Sequence, residues 1–78
     1  SSIGRSKKVK EIWVRCISSG KVEAGVDGYL ETSITDVGST DHRIFVSGGA
    51  RKELSVEVRS VGSDPLTLLA MAYDVEVN

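Results

Sequence analysis

The sequence predicts an all-β fold, either a small antiparallel β-sandwich or a partly open barrel of about six strands. Three observations support this prediction. Apolar and polar residues alternate with a period of two over most of the chain, as in half-buried strands. The alternating segments are short and are separated by glycine-containing turn sequences. Each connection is too short for the crossover that joins parallel strands, so neighbouring strands are expected to run antiparallel.

The first alternating segment, residues 9–17, predicts a strand with two different faces. One face is apolar and is formed by Ile12, Val14 and Cys16. The other face is formed by Glu11, Trp13 and Arg15. Ser18, Ser19 and Gly20 then provide a turn.

The next two strands are predicted to form a hairpin. Residues 22–26 place Val22, Ala24 and Val26 on the inner face. Asp27-Gly28 follows at once, and this pair is typical of a type I′ turn because both central residues need a positive φ angle. The returning strand is predicted at residues 29–35. Its inner face is expected to carry Leu30, Thr32 and Ile34.

Two further strands are predicted beyond a polar loop at residues 36–41. They lie at residues 42–47 and 53–61, with a glycine-rich bend between them. In the second of these strands the inner positions are Leu54, Val56 and Val58. Residues 62–65 then form a turn, in which Pro65 cannot donate a hydrogen bond to a sheet.

The last segment, residues 66–77, allows two interpretations. Leu, Ala and Met favour a helix, and Pro65 suits the first position of one. We prefer a strand because the alternation continues to the terminus. In that strand one face is formed by Leu69, Met71, Tyr73, Val75 and Val77. Tyr73 is thereby assigned to the core.

Size and charge limit the possible functions. The 78 residues suit one domain, and we assign residues 1–8 to a flexible leader and 9–78 to a single β domain. The formal net charge of −1 gives no indication of a nucleic-acid surface. No apolar run is long enough to span a membrane. The single cysteine, Cys16, cannot form an internal disulfide, which fits reducing surroundings.

The sequence predicts no enzyme activity, no cofactor and no metal site. His42 is the only histidine, so it is the only ordinary general base for a serine nucleophile. Zinc sites usually combine several Cys and His ligands, whereas this chain has only Cys16 and His42. Cys16 lies on an apolar strand face, where a cysteine behaves as a small hydrophobic residue. We expect His42 to be a polar residue at a strand start.

Exposed aromatic residues are the candidates for contact with a partner. Trp13 and Tyr29 are the aromatics expected at the surface, and Arg15 shares the polar face of Trp13. Such aromatics can stack on a sugar or anchor a protein. Alternatively, Trp13 belongs to the core, and neighbouring chains cover the other face of its strand.

The order of these features resembles small β domains in tail and other virion proteins of bacteriophages and prophages. The similar parts are an opening strand with basic residues at 7–14, a hairpin at 22–27, a glycine-rich bend with basic residues at 46–52, and an alternating final strand at 63–77. Such domains often carry Gly-Arg after the bend, whereas this chain has Ala50-Arg51-Lys52.

The resemblance implies a non-catalytic assembly module of a tail or virion protein, located in the virion or in the host cytoplasm during assembly. It would act through contacts with other virion subunits, as a homo-oligomer or as part of a larger chain. The alternative is a carbohydrate-binding or host-surface-binding β-sandwich, with a host glycan as ligand. Sugar binders usually present several aromatics on one face, and the scarcity of aromatics here favours the assembly module.

Overall fold

The computed structural model describes residues 5–18, 20–35, 38–63 and 65–77. It contains six strands in these ranges and no helix. The strands are β1 (Lys7–Ser18), β2 (Val22–Val26), β3 (Tyr29–Thr32), β4 (Asp41–Phe45), β5 (Val56–Ser60) and β6 (Leu66–Val77). The helical alternative for the last segment is therefore wrong, and the strand prediction is confirmed.

The strands form two antiparallel sheets of three strands each. The first sheet has the order β4-β1-β6, and the second has the order β3-β2-β5. All the strand pairs are antiparallel, and the sheets do not close into a barrel. The predicted all-β class and the number of strands are thus confirmed.

The core lies between the central strands of the two sheets. Its almost fully buried apolar side chains are Val9, Ile12, Val14, Cys16, Val22, Ala24 and Ile44. They come from β1, β2 and β4, and the predicted inner faces of β1 and β2 account for most of them. Partly buried residues of β5, including Val56 and Val58, pack around this cluster, as predicted.

The β2–β3 hairpin follows from its turn residues. Asp27 has φ 52° and Gly28 has φ 86°, as the type I′ prediction requires. Gly25 lies within β2 opposite Leu30, and a Cβ atom there would overlap the backbone carbonyl of Tyr29. Glycine is therefore needed at this position because the two strands approach closely.

The predicted boundaries of four strands differ from the structure. The strands predicted at residues 42–47 and 53–61 are shorter, since β4 ends at Phe45 and β5 extends only from Val56 to Ser60. β3 ends at Thr32, and Ile34, which the alternation placed on the inner face, is 67% exposed. The Ser33 hydroxyl accepts a hydrogen bond from the amide of Thr35, so the chain bends there instead of continuing the strand. β1 begins at Lys7, so part of the predicted leader already belongs to a strand. Residues 1–4 of that leader, residues 36–37 of the predicted polar loop, and Ser19 and Asp64 of two predicted turns lie outside the described ranges.

The predicted burial of Tyr73 is wrong. Tyr73 lies opposite Ile12 and therefore faces the same side of the sheet as the core, but it is 45% exposed. The second sheet covers β1 and β4 but leaves residues 67–74 of β6 exposed, and only Leu66 and Val75 of the described part of β6 pack against the core. Alternation places the side chain on the correct face, whereas its burial depends on a layer that is absent at this edge.

Candidate functional site

The outer face of the first sheet brings Trp13 and Arg15 together at its centre. Both side chains project from β1, two residues apart, on the face away from the core. Trp13 lies between Arg43 of β4 and Ala72 of β6. Arg15 lies between Asp41 and Ala70 in the same way. The predicted polar face of β1 is therefore real, and two other strands complete it.

Trp13 borders a shallow open depression on this face. The depression has a volume of about 340 Å³, and its walls include Arg15, Arg43, Ala70 and Ala72. The alanine side chains of β6 are too short to cover the indole, so Trp13 is 42% exposed. The surface alternative for Trp13 is thus correct in the isolated chain. We call this feature the Trp13 depression.

An ion pair forms one wall of the Trp13 depression. Arg15 donates two hydrogen bonds to the carboxylate of Asp41, at 2.7 and 3.2 Å. The hydrogen bond from Arg15 lowers the pKa of Asp41, and the same bond raises the pKa of Arg15. Both side chains are exposed, so this pair contributes little to stability but fixes the position of two charged groups.

Arg43 forms a second charged group beside Trp13. It pairs with Glu11 across the sheet, and its guanidinium lies 4.8 Å from the centre of the Phe45 ring. Stacking on an aromatic ring and pairing with a carboxylate both hold the planar guanidinium in one orientation. The outer face therefore combines two aromatic rings with two oriented arginine–carboxylate pairs.

Tyr29 lies elsewhere, on the second sheet. It is 68% exposed, and the guanidinium of Arg51 lies 5.5 Å from the centre of its ring. Arg51 also donates a hydrogen bond to Asp27 at 3.2 Å. Tyr29 borders a separate depression of about 280 Å³. The three predicted partner residues thus divide between two surfaces, with Trp13 and Arg15 on one and Tyr29 on the other.

His42 is buried, which its position in the sequence did not reveal. Its side chain faces the core opposite Val14 and is 2% exposed. The Nε2 atom lies 2.8 Å from the carbonyl of Ser39, which can only accept, so Nε2 donates. Nδ1 then accepts from the hydroxyl of Ser33 at 3.1 Å.

The Ser33–His42 contact has a structural role in this arrangement. Both ring nitrogens are used by the chain segment that joins β3 to β4, so the imidazole holds that segment against the core. Ser33 was not singled out from the sequence. Its only local signal is the residue type, because a serine hydroxyl commonly accepts a hydrogen bond from the amide two residues further on, here that of Thr35.

Cys16 is a core residue, as the sequence predicted. Its side chain is fully buried and forms no disulfide. Burial raises the pKa of the thiol, with a smaller contribution from the charge of Asp41. A thiol that stays protonated is a poor nucleophile. Within the described residues, no group of three or more His, Cys, Asp or Glu side chains could hold a metal ion.

The inner side of β6 is an uncovered apolar surface. Leu68, Met71 and Tyr73 lie opposite Cys16, Val14 and Ile12 respectively, so each of these exposed residues is the neighbour of a core residue. They are 47%, 40% and 45% exposed. We call Leu68, Met71 and Tyr73 the open face of β6. The alternation predicted Met71 and Tyr73 on the core side, but it placed Leu69 there instead of Leu68. Leu69 is the extra residue at the register shift between Arg15 and Cys16 and is 55% exposed, so the predicted phase is wrong at the start of β6.

Comparison with known proteins yields no relative from which a function could be transferred. No family model, no curated protein and no solved structure matches the chain. In the described residues, no helix is long and apolar enough to cross a membrane. The Trp13 depression and the open face of β6 are the two exposed features of the first sheet that could contact a partner.

Proposed function

We propose that this chain is a non-catalytic assembly module that acts through subunit contacts, in the tail or another virion protein of a bacteriophage or prophage. The open face of β6 is the observation that supports contact with another subunit. Three large apolar side chains lie there beside the core, and no other part of the chain that the structure describes covers them. Contiguous apolar surface rimmed by polar residues is typical of protein interaction sites.

Burial of this surface would stabilise an assembly. Full burial of a Leu or Met side chain is worth about 1.5–3 kcal/mol, and about half of that remains available at each of these positions. Three such residues supply about 3 kcal/mol per copy before the cost of association is subtracted. That amount suits a module whose contacts are repeated in a larger particle rather than one tight isolated complex.

The virion setting is supported by the resemblance of the sequence to small β domains of phage tail proteins. It implies a location in the virion, or in the host cytoplasm during assembly. Charged groups of the first sheet form cross-strand pairs, such as Lys10 with Glu76 at 3.0 Å, which hold the sheet in register.

The proposal is tested by reconstitution with the products of the genes that flank this one. The chain is co-expressed with each neighbouring product, and complexes are identified by their mass in solution. We expect a stable complex, and we expect Met71→Asp to weaken it about tenfold because the new carboxylate would have to be desolvated at the contact.

Ile34→Asp is the control, since Ile34 is also a large exposed apolar residue but lies away from β6. It should leave the complex intact. Complexes that tolerate Met71→Asp as well as they tolerate Ile34→Asp would contradict a contact through the open face.

Binding of a carbohydrate or host surface is the second candidate, and the Trp13 depression favours it. A half-exposed indole beside two oriented arginine–carboxylate pairs offers both stacking and hydrogen-bonding groups for a sugar ring. Trp13 and Phe45 share this outer face, but Tyr29 and Tyr73 lie on other surfaces. The aromatic residues are thus dispersed, which favours the assembly module.

A glycan array distinguishes the two functions. Carbohydrate binding predicts a strong signal that Trp13→Ala abolishes, since stacking would be lost. Tyr29→Ala, which removes an exposed aromatic from the other sheet, should leave the signal unchanged. A uniformly blank array would exclude the glycans tested and leave the assembly module as the better explanation.

A further inference from the structure

β6 has an unprotected edge as well as an open face. It pairs with β1 on one side, and no strand within the described ranges pairs with its other side. Residues 66–73 contain no charged residue and no proline. Natural proteins usually protect an edge strand of this length with lysine, proline or a covering loop, because its unpaired amides and carbonyls otherwise pair with another chain.

We propose that two copies of this chain pair through the edges of their β6 strands. The two strands run antiparallel about a two-fold axis at Ala72, so the two first sheets join into one continuous sheet of six strands. This inference rests on the proposed function and deepens it by naming the partner as a second copy. The same edge on each copy makes the contact, as a two-fold interface requires.

The bulges in the β1–β6 ladder place the axis at Ala72. The register shifts between Val9 and Glu11 and again between Arg15 and Cys16. Between these shifts, residues 70–74 of β6 form a regular run, and Ala72 is its middle residue. At the first shift the extra residue, Lys10, belongs to β1, whereas at the second the extra residue, Leu69, belongs to β6 and interrupts its free edge. An axis at Ala72 pairs the regular run of one copy with the regular run of the other. Met71 then lies opposite Tyr73 of the other copy.

The charge pattern selects the antiparallel direction. The carboxylates of β6, Asp74 and Glu76, both lie near its C-terminal end. In a parallel pair, Asp74 of one chain would lie beside Asp74 of the other, and Glu76 beside Glu76. Like charges at neighbouring positions of paired strands are destabilising. In the antiparallel pair about Ala72, Asp74 lies opposite Ala70, and Glu76 lies beside the uncharged residues 66–69 at the start of the other strand. Each carboxylate therefore meets an uncharged residue.

The size of the edge suits a weak dimer. A strand of twelve residues is about 40 Å long, close to the longest dimension of the domain, 38 Å. A sheet with its side chains is about 10 Å thick, so each edge presents about 400 Å² and the two copies together bury about 800 Å². Tyr73 and Met71 stand above the edge and add to this area. Specific interfaces begin at about 1,000 Å², so we expect a dissociation constant in the micromolar range.

Sedimentation analysis over a range of concentrations tests the pairing. The parent chain should change from monomer to dimer in the micromolar range. Ala72→Lys should raise the dissociation constant by at least about tenfold, because the two new ammonium groups would meet at the axis. Ala50→Lys makes the same exchange at an exposed loop position and should have no effect. Thermal melts of both variants establish that each is folded.

Cysteine cross-linking tests the direction and provides a second readout that does not depend on a lysine. Residues at the axis have Cα atoms about 5 Å apart, which permits a disulfide, so Ala72→Cys should cross-link under mild oxidation. Thr67→Cys should not, because the two copies of residue 67 are about 33 Å apart in the antiparallel pair. A parallel pair would cross-link at both positions and would overturn the proposed direction.

These outcomes separate the dimer from the broader proposal. Ala72 lies on the outer side of β6, so Ala72→Lys leaves the open face unchanged. A parent chain that remains monomeric at all concentrations, with no Ala72→Cys cross-link, would overturn the dimer. If Met71→Asp still weakens a complex with another virion subunit in that case, the proposed function stands without the dimer.

Discussion

β1 and β6 are neighbouring strands of equal length with very different environments. Each has twelve residues, and they pair with each other over most of that length. The inner residues of β1, Ile12, Val14 and Cys16, are at most 1% exposed. Their partners across the ladder, the open face of β6, are 40–47% exposed. A strand's own pattern therefore sets the direction of its side chains, and the neighbouring sheet decides whether they are buried.

The largest expected effect comes from placing a charge on the inner face of each strand. Val14→Asp should unfold the domain, because burial of an unpaired carboxylate costs about as much as the whole stability of a small domain, about 5 kcal/mol. Met71→Asp, directly across the ladder, should change the free energy of unfolding by less than about 1 kcal/mol. Urea unfolding followed by circular dichroism measures both. Equal damage from the two substitutions would mean that β6 is covered after all.

Truncation of side chains should show the same contrast at a smaller scale. Ile12→Ala leaves a cavity in the core and should lower the free energy of unfolding by about 3–4 kcal/mol. Tyr73→Ala, at the opposing position, should cost less than about 1 kcal/mol because its ring is nearly half exposed. The midpoints of urea unfolding give the difference, at a protein concentration where the chain is monomeric. A larger loss for Tyr73→Ala would contradict the comparison.

Thiol reactivity distinguishes the two strands without disturbing the core. Cys16 is buried and its pKa is raised, so it should react with an exposed-thiol reagent only when the domain opens. Leu68→Cys in a Cys16→Ala background places a thiol across the ladder on the open face. It should react at least about a hundredfold faster. Absorbance of the released reagent measures both rates, and similar rates would disprove the burial assigned to Cys16.

The smallest effect is expected from pH, through the two ion pairs that join β1 to its neighbours. Hydrogen bonds from Arg15 and Lys10 lower the pKa of Asp41 and of Glu76 from ordinary values of 3.8 and 4.5. A lowered folded-state pKa adds stability at pH values above the ordinary pKa. That stability disappears as the pH falls through the folded-state value. Stability should therefore decline in acid below about pH 4, in a range where both carboxylates become protonated.

Arg15→Gln removes the ion pair with Asp41, and Lys10→Gln removes the ion pair with Glu76. The stability difference between the parent chain and each variant should be small at neutral pH, because the pairs are exposed, and should vanish in acid. Nuclear magnetic resonance titration of the two carboxyl carbons measures the pKa values directly. A carboxyl of Asp41 that titrates identically with and without Arg15 would contradict the assigned cause.

Much of the fold was predictable because its signals are local. Alternation identified six strands, and the Asp27-Gly28 pair identified the hairpin turn through its positive φ angles. The end of β3 was not predictable from alternation, since a serine hydroxyl bonds to the amide of Thr35 and ends the strand. The candidate site was predicted in part. Trp13 and Arg15 were named from one strand, but Ala70 and Ala72, which leave the indole exposed, lie more than fifty residues away.

The sequence by itself determined that the chain is all-β, which side of β1 and β2 faces inward, and where the hairpin turns. These properties depend on the two-residue repeat of an extended backbone and on the φ preferences of single residues. Only the tertiary structure decided that β6 lies at an edge beyond the second sheet, that Tyr73 is exposed, and that His42 is held by Ser33 and Ser39. Those features arise because segments far apart in the sequence pair and pack against each other. Whether a side chain is buried therefore depends on which segments pack over it, and the pattern of its own strand does not decide it.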